Sequence, residues 1–183
     1  MIPSVDSMAR YAAGAWALLR NDESGMDAFR LDLRGLLQSF AAAVVVLPIY
    51  VAVVLVQTRA AAADDVTLDI WGRVLAFALQ WAAFPLVAAV LAKVMNRSAS
   101  FIPYVVAANW SAVVQIVIVL AVVLLSTLLP GTLGGVALLT LTAFLLFYDY
   151  RVVRIAFVAP GFDGVAVVTI QFLVSLLIQR VAG

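Results

Sequence analysis

The feature that most constrains this chain is its longest run without a charged side chain, which extends from Ser98 to Tyr148. The run is 51 residues long, whereas a helix needs only about 20 residues to cross the hydrocarbon core of a bilayer. Charged side chains are costly in hydrocarbon, so they mark the ends of membrane spans rather than their interiors. The run therefore predicts two crossings, and "PGTLGG" (Pro130 to Gly135), with one Pro and three Gly, predicts the turn between them.

Three shorter charge-free runs predict three further crossings, at residues 35–58, 74–92 and 164–179. The composition supports this interpretation, because 66% of the residues are hydrophobic and only 11% are charged, against about 25% charged in soluble domains. We therefore expect an all-α fold, a polytopic transmembrane helix bundle with an amphipathic N-terminal helix. The five expected spans are 38–57, 70–95, 102–129, 133–155 and 164–181.

The segment before the first span mixes charged and apolar side chains and lacks the continuous apolar run of a cleavable signal peptide. We expect residues 1–35 to form a cytoplasmic or interfacial amphipathic segment and residues 36–183 to form the five-helix transmembrane domain. Two roles are open for such a helix. It recruits a partner, or it serves as an anchor that lies on the inner leaflet or packs on the bundle. Its expected apolar face, from the helical spacing, consists of Val5, Met8, Tyr11, Ala12, Ala15, Trp16 and Leu19.

The distribution of Lys and Arg predicts the orientation of the bundle. With the N-terminus in the cytoplasm, eight of the 11 basic residues lie inside and three lie outside, in keeping with the positive-inside rule. Five crossings then place the C-terminus outside, and we expect a multi-pass protein of the cell inner (plasma) membrane. The inner residues are Arg10, Arg20, Arg30, Arg34, Lys93, Arg97, Arg151 and Arg154, and the outer ones are Arg59, Arg73 and Arg180.

Several classes of function lack the residues that they require. The chain has no Cys, which excludes thiolate catalysis, zinc thiolate sites and iron–sulfur clusters, and no His, the commonest general base. Neither paired carboxylates at depth nor a nucleophile beside a base can be identified in the sequence. We therefore predict no enzymatic activity, no cofactor and no metal site. The absence of a basic stretch interleaved with aromatics also argues against a nucleic-acid partner.

A few neutral polar side chains interrupt the apolar spans, and they are the best candidates for a functional site. One interpretation is that they join the helices, with Gln80, Gln115 and Gln171 bonded to one another as a three-glutamine clamp. The other is that they line a polar cavity between the second, third and fifth spans, which binds a small neutral or zwitterionic solute near the midplane. The candidate cluster comprises Gln80, Asn109, Ser111, Gln115, Gln171 and Ser175.

Asp149 is the acidic residue nearest to a span interior, at the inner end of the fourth span. We expect it to form an interfacial ion pair with one of the neighbouring basic residues rather than to act as a gate. Since no other acidic side chain or His lies within a span, coupling to protons or sodium is disfavoured. The neighbouring basic residues, which are also candidate contacts for lipid head groups, are Lys93, Arg97, Arg151 and Arg154.

Two segments carry a resemblance to known membrane proteins. "RSASFIPYVVAANWSAVVQ" (Arg97 to Gln115), together with the five-span layout and the amphipathic N-terminus, resembles the Yip family of multi-pass membrane proteins. "DAFRLDLRGLLQSFAAAVVVLPIYV" (Asp27 to Val51) is similar to uncharacterised bacterial inner-membrane proteins. The Yip resemblance implies a protein that shapes or sorts membranes through protein partners, which in the eukaryotic members include small GTPases.

The sequence thus leaves two functions open. The first is a structural, accessory or membrane-organising role, exerted through membrane lipids and through a protein partner or self-association. The alternative is a small transporter or channel for a neutral or zwitterionic solute, lined by the midplane amides. A dry core in which the amides bond to one another would favour the first function, and a polar cavity that opens between the helices would favour the second.

Overall fold

The computed structural model describes residues 3–61 and 70–182, and all regular structure in them is helical. This confirms the predicted all-α fold. Two short 3₁₀ helices, Glu23–Ala28 and Ser98–Ser100, lie between the longer elements. The α-helices are α1 (Val5–Leu19), α2 (Leu33–Ser39), α3 (Ala41–Ala61), α4 (Ile70–Val94), α5 (Phe101–Ser126), α6 (Gly131–Ala156) and α7 (Gly161–Ala182).

Within residues 3–61 and 70–182, five stretches of helix are long and apolar enough to cross a membrane, which agrees with the predicted number of spans. The first comprises α2 and α3, and it begins at Leu33 rather than at residue 38. Its earlier start follows from Asp32, whose carboxylate accepts a hydrogen bond of 2.6 Å from the Gly35 backbone N–H. This bond and the Arg30 guanidinium hold the pKa of the Asp32 carboxyl below its usual range. The stretches are Leu33–Arg59, Ile70–Val94, Ser98–Ser126, Gly131–Ala156 and Gly161–Val181.

The turn between the third and fourth spans lies earlier than the sequence indicated, at residues 127–130. Pro130 lies at the N-cap of α6 and its carbonyl accepts from the Gly134 N–H at 2.9 Å, so the glycines of "PGTLGG" belong to the helix. Gly134 packs so closely against α5 that a Cβ atom would lie 3.0 Å from the Ser126 carbonyl oxygen. Gly134 therefore permits close approach of α6 to the end of α5.

Helix α5 is the centre of the bundle, in contact with α1, α2, α3, α4 and α6. Helix α7 completes the arrangement by packing on α4 and α6, so that α4, α5, α6 and α7 surround a common interior. Large apolar side chains such as Leu86, Leu139 and Leu173 stay exposed on the outer faces of the spans. A soluble bundle would bury such faces, whereas here they provide the surface that contacts lipid.

Helix α1 packs against α5 and α6 instead of standing apart from the bundle. Its Leu18 is fully buried, and its Tyr11 ring lies 4.8 Å from the ring of Trp110. The Tyr148 hydroxyl of α6 donates a hydrogen bond of 2.6 Å to the Ala15 carbonyl oxygen. Of the placements expected for this helix, packing on the bundle is the one observed.

The face that α1 buries differs from the expected one. Val5 and Trp16 were assigned to the apolar face but are 81% and 51% exposed, whereas Gly14 and Leu18 are buried. The reason is steric, because Gly14 meets the 3₁₀ helix so closely that a Cβ atom on it would lie 2.7 Å from the Gly25 carbonyl oxygen. Close backbone approach, rather than hydrophobicity alone, therefore selects the face of α1 that packs inward.

Candidate functional site

A cavity of about 260 Å³ lies among α4, α5, α6 and α7. It lies deep in the spans, because Gln115 is 14 residues from the first residue of α5 and 11 from the last, or roughly 21 and 16 Å at 1.5 Å per residue. Trp81, Phe84 and Val152 form part of its apolar wall. Its polar lining consists of Gln80, Tyr104, Asn109, Gln115, Asp149, Gln171 and Ser175.

Asp149 faces this cavity, which corrects the expectation of an ion pair at the end of the span. Its Oδ1 atom accepts a hydrogen bond of 2.6 Å from Nε2 of Gln115. In the described ranges, 3–61 and 70–182, no Lys or Arg lies within ion-pairing distance of it. Helix α6 continues to Ala156, so Asp149 lies about two turns inside its end. The basic Arg151 projects roughly from the opposite side of the helix, which explains why the two do not pair.

Gln171 of α7 is held by Tyr104 of α5, whose hydroxyl donates a hydrogen bond of 2.7 Å to the Gln171 Oε1 atom. The Tyr104 side chain is only 2% exposed, with its ring 4.9 Å from that of Phe157. Tyr104 therefore belongs to the buried core of the bundle and not to the membrane interface. The side-chain nitrogen of Gln171 is buried and has no hydrogen-bond partner within the part of the chain that the structure describes.

The three glutamines surround one cavity but do not form the expected clamp. Gln115 bonds to Asp149 and Gln171 accepts from Tyr104, so neither bonds to another glutamine. Gln80 lines the cavity from α4, and among the described residues its side chain makes no hydrogen bond. The cavity thus contains amide groups with unused hydrogen-bonding capacity, which is the arrangement expected of a ligand site rather than of helix-joining contacts.

The remaining members of the predicted cluster have separate positions. Asn109 borders the cavity, but its Nδ2 atom donates to the Ser39 hydroxyl at 2.8 Å, so it joins α5 to α2. Ser39, also buried, was missed in the sequence because a single Ser at a helix end carries no distinctive signal. Ser111 is buried and does not line the cavity, whereas Ser175 lines it from α7.

Three of the four basic residues predicted to contact lipid head groups have partners within the protein. Arg97 forms an ion pair with Asp163 at 3.2 Å and donates to the Val158 carbonyl oxygen. Arg151 donates to the Leu19 carbonyl oxygen at the end of α1 and lies over the Phe147 ring.

Arg154 donates to Asn21 Oδ1 at 2.6 Å and lies 3.9 Å from Glu23. Lys93 remains exposed. The expectation about lipid contacts stays a prediction, and the side chains of Arg97, Arg151 and Arg154 also hold structural elements together. Two of them, Arg151 and Arg154, fasten the N-terminal segment to α6.

The electrostatics of the cavity are simple, because Asp149 is the one charged group among the described residues that line it. An isolated carboxylate within a membrane is costly unless a proton, a cation or hydrogen bonds compensate its charge. Gln115 supplies one hydrogen bond. The site can bind a positively charged group beside Asp149, and the side-chain amide oxygens can accept hydrogen bonds from that group.

The function of this chain has to be inferred from its spans and its cavity. No protein-family model, curated protein or solved structure matches this chain at a significant level. The sequence signal that could have identified the site is Asp149 itself, an acidic residue preceded by 51 residues without a charge. From the five apolar spans in the part of the chain that the structure describes, we conclude that it is a multi-pass membrane protein.

Proposed function

We propose that this protein binds a small solute with a positively charged group in its intramembrane cavity and carries it across the membrane. The observation that supports the proposal is that Asp149 faces a polar cavity without a basic partner among the described residues. Of the two functions left open by the sequence, this is the transporter, with a cationic solute instead of a neutral or zwitterionic one. The change of solute follows from the charge of Asp149.

A primary ammonium group fits the chemistry of the site. It presents three hydrogen-bond donors and no acceptor, and it neutralises one carboxylate. Asp149 provides the charge, and the side-chain oxygens of Gln80 and Gln115 provide neutral acceptors in the same cavity. Binding sites near the bilayer midplane between packed helices are usual in transporters.

We also propose that the protein resides in a bacterial inner membrane with its N-terminus in the cytoplasm. The support for this orientation is the excess of Lys and Arg at that side, eight of 11. The accessory role through lipids and a protein partner, which the Yip resemblance implies, is the alternative proposal. The accessory role would be the better explanation if the cavity bound no cation.

The proposal is tested by thermal unfolding of the purified protein in a mild detergent. Potassium chloride is replaced stepwise by methylammonium chloride at constant ionic strength, so that only the nature of the cation changes. A ligand that binds the folded state alone raises stability by RT ln(1 + [L]/Kd), or about 2.7 kcal/mol at 100 times Kd. We expect methylammonium to raise the Tm of the wild-type protein and to have no such effect on Asp149→Asn.

The matched control is Asp6→Asn, which removes the same charge from an exposed position in the first turn of α1. This variant should respond to methylammonium as the wild-type protein does. An equal rise of Tm in Asp149→Asn, or no rise in any of the three proteins, would contradict the proposed cation site.

A further inference from the structure

A second, apolar cavity lies beside the polar one, on the outer surface between α6 and α7. Its volume is about 300 Å³, and we call it the α6–α7 groove. Phe147 and Val165, which line it, are 50% and 52% exposed, so the groove opens on the lipid-facing surface. Since lipid surrounds this surface of a membrane protein, hydrocarbon chains have direct access to the groove.

The chemistry of the groove suits hydrocarbon. Its lining contains the side chains of Leu, Phe and Val, together with Tyr150 and Thr169. The Tyr150 hydroxyl already accepts a hydrogen bond of 3.1 Å from the Gly161 backbone N–H. No charged side chain is among the described residues of its lining. A polar ligand would therefore find few partners in the groove.

The groove and the polar cavity share a wall. Leu146 of α6 and Val168 and Phe172 of α7 line both of them, so a single layer of side chains separates the two spaces. Leu146 is three residues from Asp149 on the same helix, a rise of roughly 4.5 Å. A head group beside Asp149 and a chain in the groove are thus within the span of one short molecule.

From this shared wall we infer that the ligand of the polar cavity is a membrane amphiphile with a primary ammonium head group, whose alkyl chain occupies the α6–α7 groove. The inference rests on the proposed function and specifies its ligand. The ammonium group lies beside Asp149, and the molecule enters sideways from the bilayer between α6 and α7. Phe172 and Val168, which border both spaces, move aside to admit it.

The test compares a short and a long ligand, methylammonium and dodecylammonium, by the concentration that gives half of the maximal rise in Tm. Thr169→Trp fills the groove from a position that lines it but does not line the polar cavity. Leu177→Trp is the control, because it places the same side chain at an exposed position of α7 that lines neither space. Partition of dodecylammonium into the micelles is the same for every variant, so differences between variants report on the protein.

We expect Thr169→Trp to raise the half-maximal concentration of dodecylammonium by about tenfold or more, the equivalent of roughly 1.4 kcal/mol. Its response to methylammonium should remain that of the wild-type protein, and Leu177→Trp should bind both ligands normally. Normal dodecylammonium binding by Thr169→Trp would overturn the inference but leave the cation site intact. Undiminished binding of both ligands by Asp149→Asn would overturn the proposed function itself.

A second measurement covers the case in which the large side chain prevents folding. The chain has no Cys, so Thr169→Cys introduces a single thiol into the groove. Dodecylammonium should slow the reaction of this thiol with a small maleimide, whereas methylammonium should not. Equal labelling rates with and without dodecylammonium would overturn the inference, and Leu177→Cys provides the rate at a lipid-facing position outside the groove.

Discussion

Of the hydrogen bonds made by the cavity side chains, the one between Gln115 and Asp149 has the largest expected effect on the free energy of unfolding. It joins α5 to α6 at 2.6 Å, and it is the one hydrogen bond that the Asp149 side chain makes in the described residues. Hydrogen bonds to charged groups contribute more than neutral ones, because the charged group loses more on losing its partner.

We predict that Gln115→Leu lowers the free energy of unfolding by about 1.5–3 kcal/mol. Adding Asp149→Leu to it should cost less than the sum of the single changes, because the first change already leaves the carboxylate without its donor. The measurement is a double-mutant cycle by denaturation in mixed micelles.

Gln80→Leu is the matched control for this cycle. It makes the same substitution in the same cavity at a side chain that has no hydrogen bond among the described residues. Its effect should be smaller than that of Gln115→Leu, and the two should be additive. Strong coupling between Gln80 and Gln115, with none between Gln115 and Asp149, would favour the glutamine clamp instead.

The depth of these side chains could be predicted from the sequence, but their partners could not. A fixed rise per residue places Gln80, Gln115 and Gln171 at similar heights once the ends of the spans are known. The groups that then meet are decided by how four helices rotate and approach one another. The sequence of a single helix does not determine this. Gln115 therefore bonds to Asp149, although the charge pattern suggested that Asp149 would pair with a basic residue.

At the scale of elements, α1 shows how close packing and hydrophobicity compete. The charge-free runs predicted the spans, because lipid accepts almost any apolar face and the length of the run decides the crossing. The contact of α1 is more selective, since its Gly14 faces Gly25 and its Trp16 faces outward. A pattern of apolar residues does not contain that information.

Gly14→Ala tests whether α1 is docked, because the two arrangements predict opposite signs. On a helix that only rests on a membrane surface, Ala is favoured over Gly by about 1 kcal/mol. In the docked helix, the added Cβ would lie 2.6 Å from the Ala28 Cβ atom and 2.7 Å from the Gly25 carbonyl oxygen. We predict lower thermal stability and faster proteolysis of residues 5–29.

Ala9→Gly is a useful control for that experiment, since Ala9 is exposed on the same helix. It should destabilise α1 modestly through helix propensity alone. A rise in stability for Gly14→Ala would show that α1 does not pack on the bundle in solution.

At the scale of the whole molecule, an odd number of crossings would place the two termini on opposite sides of the membrane, and the described ranges contain five helical stretches long and apolar enough to cross. Together with the distribution of basic residues, this predicts a cytoplasmic N-terminus and an external C-terminus. Alkaline phosphatase fused after Gly183 should be active in a bacterial host, and a fluorescent protein fused there should be dark. The opposite pair of results would contradict the orientation, and fusions within residues 127–130 provide the external reference.

The docking of α1 also has a consequence for the order in which the protein is made. The Tyr148 hydroxyl that holds Ala15 is 133 residues further along the chain. At about 5–20 residues per second, a ribosome needs on the order of ten seconds to supply it. During that interval, α1 has its contact with the 3₁₀ helix and with Phe29 but lacks its contacts with α5 and α6. The membrane surface is then the nearest place that shelters the rest of its apolar face. We therefore expect the nascent α1 helix to lie at the lipid interface during synthesis and to pack on the bundle afterwards.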